Sequence, residues 1–236
     1  MPMHHTNRAF TRLECVAVLA VLALLGVLAL PLLAATRADS DRAGCFNNLR
    51  QLGRAITVWG DDRDGVPPWI TFVSRGGTRP DGGAFKAGAA WYEFTTLSNE
   101  LVTPRLLACP ADTGVKAAAE FSNHGTRGYM GTGQRALATS YFINMDNVGA
   151  TPLMVVVGDR NLRSLGTTAC ARGVNNADLI NLNIPSPVLW TNAVHGWAGH
   201  ALRTDGSVVF ADTKMLLENV PQRLDDNGSF HFLRAR

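Results

Sequence analysis

Charge is scarce in this sequence, and the scarcity is concentrated in one place. Charged residues make up 17% of the 236 positions against 46% hydrophobic ones, and none falls between Cys15 and Thr36. No C-x-x-C pair occurs among the four cysteines, Cys15, Cys45, Cys109 and Cys170, which removes zinc-ribbon and thioredoxin-like readings. No basic stripe with interleaved aromatics exists, and the net charge of +3 is spread among interspersed acids and bases; nucleic acid is not an expected partner. Ser140, Ser164 and Ser186 lack the Gly-x-Ser-x-Gly setting of a nucleophile elbow. Gly128-Tyr129-Met130-Gly131-Thr132-Gly133 has neither a strand before it nor a Lys-Ser/Thr after it, as a phosphate loop requires. No repeat and no long low-complexity tract is present. The expectation is a protein that is not an enzyme and carries no cofactor or metal.

The charge-free stretch is what the sequence has instead. Cys15 to Ala35 is 21 residues of almost unbroken Ala, Val and Leu; as a helix it rises roughly 30 Å, the hydrocarbon thickness of a bilayer. It is longer than the core of an ordinary secretory signal peptide. Arg8 and Arg12 on its short side favour a cytoplasmic N-terminus with the bulk of the chain outside. Glu14 stands at its edge, where an acid is costly and a paired or functional role is the default hypothesis; the bland alternative is an interfacial acid that marks the helix end.

Phe10-Thr11-Arg12-Leu13-Glu14 resembles the Phe-Thr-Leu-Ile-Glu signature of type IV prepilins and type II secretion pseudopilins. The resemblance implies a prepilin peptidase as a partner, cutting a leader of residues 1–9 between Ala9 and Phe10 and methylating the new amino group. It implies that Glu14 attracts the amino terminus of a neighbouring pilin or pseudopilin subunit during assembly, and that Pro31 corresponds to a proline many pilins carry in the membrane helix. Ala9 stands where Gly is usual before the cut, Arg12 where an apolar residue is usual, and Cys15 where an aliphatic one is usual.

Past Ala35 the helical signal continues. Cys45, Leu49, Leu52, Ile56 and Trp59 recur at spacings of four and three residues, one face of a helix, with Asn47, Asn48, Arg50, Gln51 and Arg54 off it. Gly60 and Asp61-Asp62-Arg63-Asp64-Gly65-Val66-Pro67-Pro68 stop it. The pattern predicts one helix over 10–60, roughly 75 Å long, with a transmembrane part at 15–35. The alternative is a break near Gly44. A globular head follows over 61–236.

In the head, strands are expected near Trp69–Ser74, Thr139–Ile143, Met154–Gly158, Val188–Thr191, His200–Arg203, Ser207–Ala211 and Ser229–Leu233. Helices are expected near Thr113–Ser122 and Thr213–Asn219, with Gly-rich loops at 75–88 and 124–134. Asp205-Gly206 between strand formers predicts a hairpin turn with φ > 0 at both central positions. The fold class is α+β: a long N-terminal helix packed on a mostly antiparallel sheet, a pilin-like layout. Cys15 lies apart from the head, leaving Cys45, Cys109 and Cys170 for at most one intrachain disulfide, whose pairing the spacing leaves open.

Four blocks, Cys45–Gly53, Leu107–Asp112, Val157–Asn161 and His195–Val208, resemble recurring blocks of a large group of bacterial prepilin-like proteins. The last contains His195, nine residues, then Asp205-Gly206, similar to the His-x9-Asp-Gly motif that ends the head in that group. As metal ligands, His195, His200 and Asp205 match no common zinc spacing; the preferred reading is that His195 and Asp205 fix backbone groups of the hairpin through hydrogen bonds. Asp62-x-Asp64-Gly65 lacks the further oxygens and distal Glu of a calcium loop and reads as a helix-stop turn.

Together these readings point to a non-enzymatic structural subunit of a type IV pilus or secretion pseudopilus. It would sit in the bacterial inner membrane by a single pass, with a periplasmic head, and pass from there into a filament that can reach the cell surface. Two alternatives are a membrane-anchored head that binds a partner without polymerising, and a secreted protein cut by an ordinary signal peptidase.

Overall fold

The computed structural model describes residues 11–81, 89–125, 127–135, 137–146, 153–164, 179–183, 188–218 and 229–233. Ala9, Phe10 and Cys170 lie outside them. The chain divides into two compact units, Met1–Ser40 and Asp41–Arg236.

The N-terminal helix α1 runs over Arg12–Asp61 without interruption at Pro31 or Gly44. Its start is a capping box: Thr11 accepts from Glu14 N through Oγ1 at 3.3 Å, while Glu14 Oε2 accepts from Thr11 N at 2.8 Å. Two orphan donors of the first turn are thereby satisfied reciprocally. In the first unit, twelve leucines and valines between Leu13 and Leu33 are 52–80% exposed. This helix is long and apolar enough to cross a membrane.

In the second unit, the C-terminal part of α1 buries Cys45, Leu49, Leu52, Ala55 and Trp59, the face that the spacing predicts. Gly44 and Gly53 let the head come close: a Cβ on Gly44 would lie 2.9 Å from Pro110 Cγ, and one on Gly53 2.7 Å from Leu202 Cδ1. Beyond the helix, Arg63 N and Gly65 N both donate to Gly60 O, with Asp64 and Gly65 at φ of 59° and 71°, so the expected helix stop is a left-handed turn.

The remaining helices are α2 (Ala90–Thr95), α3 (Ser98–Leu101) and α4 (Thr213–Glu218), with 3₁₀ turns at Val73–Arg75 and Pro104–Leu107. The strands are β1 (Tyr141–Asn144), β2 (Val155–Asp159), β3 (Leu162–Ser164), β4 (Leu179–Asn183), β5 (Val188–Trp190), β6 (Gly199–Arg203), β7 (Val208–Ala211) and β8 (Ser229–Leu233). Six of them form one sheet in the order β4-β8-β1-β2-β6-β7, and β3 pairs with β5. Among the described residues every strand-to-strand pairing is antiparallel, so the protein is α+β with a long N-terminal helix, as expected.

Both faces of the sheet are covered, which is why β1 and β2 are buried at every position rather than alternating. Tyr141, Ile143, Val157 and Leu202 join the α1 residues Leu49 and Leu52 in one core; Phe142, Val155, Ala201 and Phe232 face Leu162, Trp190 and Leu216 in the other. A bulge between Val155 and Val157 shifts which side chain of β2 points to which core.

Two expected elements do not form. Trp69–Ser74 is a turn and a 3₁₀ segment, because Ile70 N and Thr71 N both donate to Pro67 O, leaving only a bridge between Phe72 and Arg79. Thr113–Ser122, despite its alanines, spends its backbone on other loops: Lys116 N donates to Leu137 O, Ala119 N to Arg127 O, and Glu120 O accepts from Tyr129 N. Tertiary pairing overrides helix propensity there. The β6–β7 connection is a hairpin, but of three residues: Gly206 N donates to Arg203 O, Arg203 N to Ser207 O, and only Gly206 has positive φ, 78°, which gives a type I turn with a glycine bulge.

One of the buried acids lies on a helix. Glu93 of α2 is 2% exposed and accepts a hydrogen bond from the Thr78 hydroxyl. Burial pushes its carboxyl up from 4.5 to about 7, with the Thr78 bond opposing.

Candidate functional site

The most concentrated chemistry lies where β2 meets β6. Asp159 ends β2, one step along the register from the Gly158–Ala201 pair, and this places its carboxylate against the start of β6. His200 N donates to Asp159 Oδ2 at 2.6 Å, and His200 Nδ1 stands 3.1 Å from the same oxygen. His195 enters from the turn that leads into β6, with its Nε2 3.2 Å from Asp159 Oδ2. Asn161 staples that turn: its Nδ2 donates to Thr191 O at 2.9 Å and to Ala198 O at 3.1 Å. Gly196 and Trp197 take φ of 68° and 64° within it, and for a tryptophan that conformation is unusual.

The cluster is sealed. Asp159 is 0% exposed, and His195 and His200 are each 4% exposed. The two imidazoles meet edge to face at 4.7 Å, and the Phe210 ring lies 5.0 Å from His200. Phe46 of α1 stands 6.4 Å away from His200 on its edge. Burial pushes the Asp159 carboxyl up, but the hydrogen bonds and charges of His195 and His200 outweigh it and hold the group below the ordinary carboxylate range.

Directly beside this cluster, Cys45 of α1 and Cys109 form a disulfide across 64 residues of sequence, and Cys109 Sγ lies 3.5 Å from His195 Nε2. Cys15 is free and exposed. One nitrogen of His195 therefore faces both the sulfur and the carboxylate. A cysteine–histidine–carboxylate relay uses the two different ring nitrogens, and that geometry is not formed. Among the described residues, two sets of side chains bring ligand-type atoms within 4.8 Å of one another: Asp159, His195 and His200, and Cys45, Cys109 and His195.

The blocks singled out in the sequence converge here. Cys45, Cys109, Asp159 and His195 come from all four of them, and a further tie holds two together: Arg160 Nε and Nη2 donate to Asp112 Oδ2 and Oδ1 at 2.6 and 2.9 Å. The His-x9-Asp-Gly motif, in contrast, is split between two places. Asp205 is exposed and accepts from Ser207 N and Ser207 Oγ at 3.0 and 2.5 Å; together with Gly206 it shapes the hairpin at the far end of β6. Its carboxyl is held low by those Ser207 bonds. His195 does not join it in fixing the hairpin, contrary to expectation; its partners are Asp159 and Cys109. Asp159 carries no chemical signal in the sequence beyond its place in the Val157–Asn161 block. Only the β2–β6 register reveals it.

Gly158 keeps this corner tight, since a Cβ there would lie 2.6 Å from Phe142 Cε1 and 3.0 Å from the backbone oxygen of His200. Gly158→Ala is expected to lower the unfolding free energy by roughly 1–3 kcal/mol. Chemical denaturation of the full chain in detergent measures it, and an unchanged midpoint contradicts it.

Comparison of the chain with protein-family models, curated proteins and solved structures finds no match.

Proposed function

We propose that this protein is a membrane-anchored, prepilin-like structural subunit, stored in a bilayer through α1 and assembled with other subunits of its kind into a filament. The observation that carries the proposal is the contrast along one helix. Its N-terminal half presents leucine and valine on every side, a surface that must be covered by lipid or by other apolar helices. Its C-terminal half buries a single face in the head. The resemblance of Phe10 to Glu14 to the prepilin processing signature supports the same reading. Prepilin peptidase is then the processing partner, and export of the head across the inner membrane follows. Mass spectrometry of the purified N-terminus tests this: a chain beginning at methylated Phe10 is expected, and one beginning near Thr36 or Asp39 overturns it.

The capping box gives Glu14 a second, purely local duty, and a single substitution separates the two. Glutamine at the third helical position still completes a capping box but carries no charge to attract a neighbouring amino terminus. Glu14→Gln is therefore expected to fold and reach the membrane like the parent, yet to yield filaments reduced at least about tenfold, the equivalent of about 1.4 kcal/mol per subunit contact. Shear preparation and immunoblotting read this out. Filaments at the parental level would leave Glu14 as a cap and nothing more.

A further inference from the structure

We propose that Asp159, His195 and His200 form a closed structural site for a borderline divalent transition metal, with zinc as its representative. Three observations lead there. First, the three side chains come from the end of β2, the turn before β6 and the second residue of β6, and each is at least nine-tenths buried. Their ligand atoms stand 3.1 and 3.2 Å from the shared carboxylate oxygen. Ligands around a tetrahedral zinc with bonds of about 2.1 Å stand about 3.4 Å apart, so the two nitrogen–oxygen distances need to open by only a few tenths of an ångström, and all three ligand atoms lie within 4.8 Å of one another.

Second, the carboxylate is used unevenly. Oδ2 faces the His200 N–H and both imidazoles, whereas the buried Oδ1 has no partner among the described residues. Hydrogen bonding alone rewards spreading donors over both oxygens, and a buried lone oxygen is costly. A metal bound through both oxygens uses the pair. Third, the charge balance suits a divalent ion. Asp159 is the acid of this cluster, and the neighbouring Arg160 is held bidentately by Asp112. Two imidazoles with one carboxylate are a ligand set that zinc and its neighbours accept.

The Cys45–Cys109 sulfurs are excluded as ligands while the disulfide stands, because the thiolate is the form that binds metal. The ion would add a tie among three segments already linked by the sheet ladder, the His200 N–H on Asp159 and the Asn161 staple. With every ligand buried, the site is structural.

The test uses the full chain in detergent, tag-free and with the disulfide intact, dialysed against Zn²⁺ and analysed by elemental mass spectrometry. About one zinc per chain is expected, together with a rise in Tm with Zn²⁺ that Mg²⁺ does not reproduce. X-ray absorption at the zinc edge should show two imidazoles and oxygen, with no sulfur. His195→Gln and His200→Gln should each abolish stoichiometric zinc while the far-ultraviolet spectrum is kept. Sub-stoichiometric zinc in the parent, sulfur in its coordination shell, or full zinc in both folded variants overturns the site. Because the absorption edge is read on the parent protein, the proposal stays testable even if a variant fails to fold.

Discussion

Replacing Cys45 and Cys109 together by alanine is expected to lower the unfolding free energy by roughly 4 kcal/mol, the chain-entropy value for a loop of this length. The disulfide closes 64 residues of sequence between α1 and the segment that follows the 3₁₀ turn at Pro104–Leu107. Both cysteines are buried, at 0% and 3% exposure, so the substitution also removes apolar volume from the main core, and the measured loss should not fall below that figure. Denaturant titration of the oxidised parent against the double variant, with the full chain in detergent, provides the comparison. A difference under about 1 kcal/mol would mean that the helix and head are held by packing alone and that the unfolded chain gains little freedom from the missing link.

A pH-dependent gain of similar size is expected from Glu93→Gln. The carboxyl of Glu93 is raised from 4.5 to about 7 by burial in the core. Below pH 4.5 the group is neutral both folded and unfolded, and it contributes no difference. As pH rises from there toward 7, the unfolded chain releases a proton that the folded chain keeps, so the parent loses stability. Above pH 7 the loss is complete, about 3 kcal/mol at 1.36 kcal/mol per pH unit. Glutamine has no proton to lose and can still accept from Thr78. The variant should match the parent near pH 4 and exceed it by about 3 kcal/mol at pH 8. Parallel stability curves for the two proteins across that range would show that the carboxyl reaches water when ionised.

These two sites illustrate how unevenly the structure could be read from the residues. The stripe Cys45, Leu49, Leu52, Trp59 announces its buried face because helical periodicity is local, and only Ile56 yields its place partly to Ala55. Strands such as Val155–Asp159 and Val208–Ala211 are short runs of β-branched and aromatic residues, legible for the same reason. Thr113–Ser122 misleads because its backbone partners, Leu137 and Arg127, lie in other loops that no window contains. β3 is three residues long and α3 four, too short for any period to show. The Asp159–His195–His200 cluster was out of reach for a different reason: its members are brought together by the register of β2 on β6, a long-range choice made by packing. Cysteine pairing likewise followed from which face α1 lays on the head, and the spacing of three cysteines could not express it. The motif His195 to Asp205 looked like one unit and is two, a buried imidazole at one end of β6 and a turn cap at the other.

Along α1, Cys45 is the first fully buried residue after the long exposed stretch. Non-covalent contacts between a rod and a surface fail under tension one after another, starting from the edge where the pull enters. In this molecule a covalent rivet sits close to that edge, just past the contact of Arg42 with the Phe210 ring. Along the helix the sulfur–sulfur bond comes before Leu49 and Leu52, so this part of the helix cannot be peeled from the head residue by residue without breaking a covalent link.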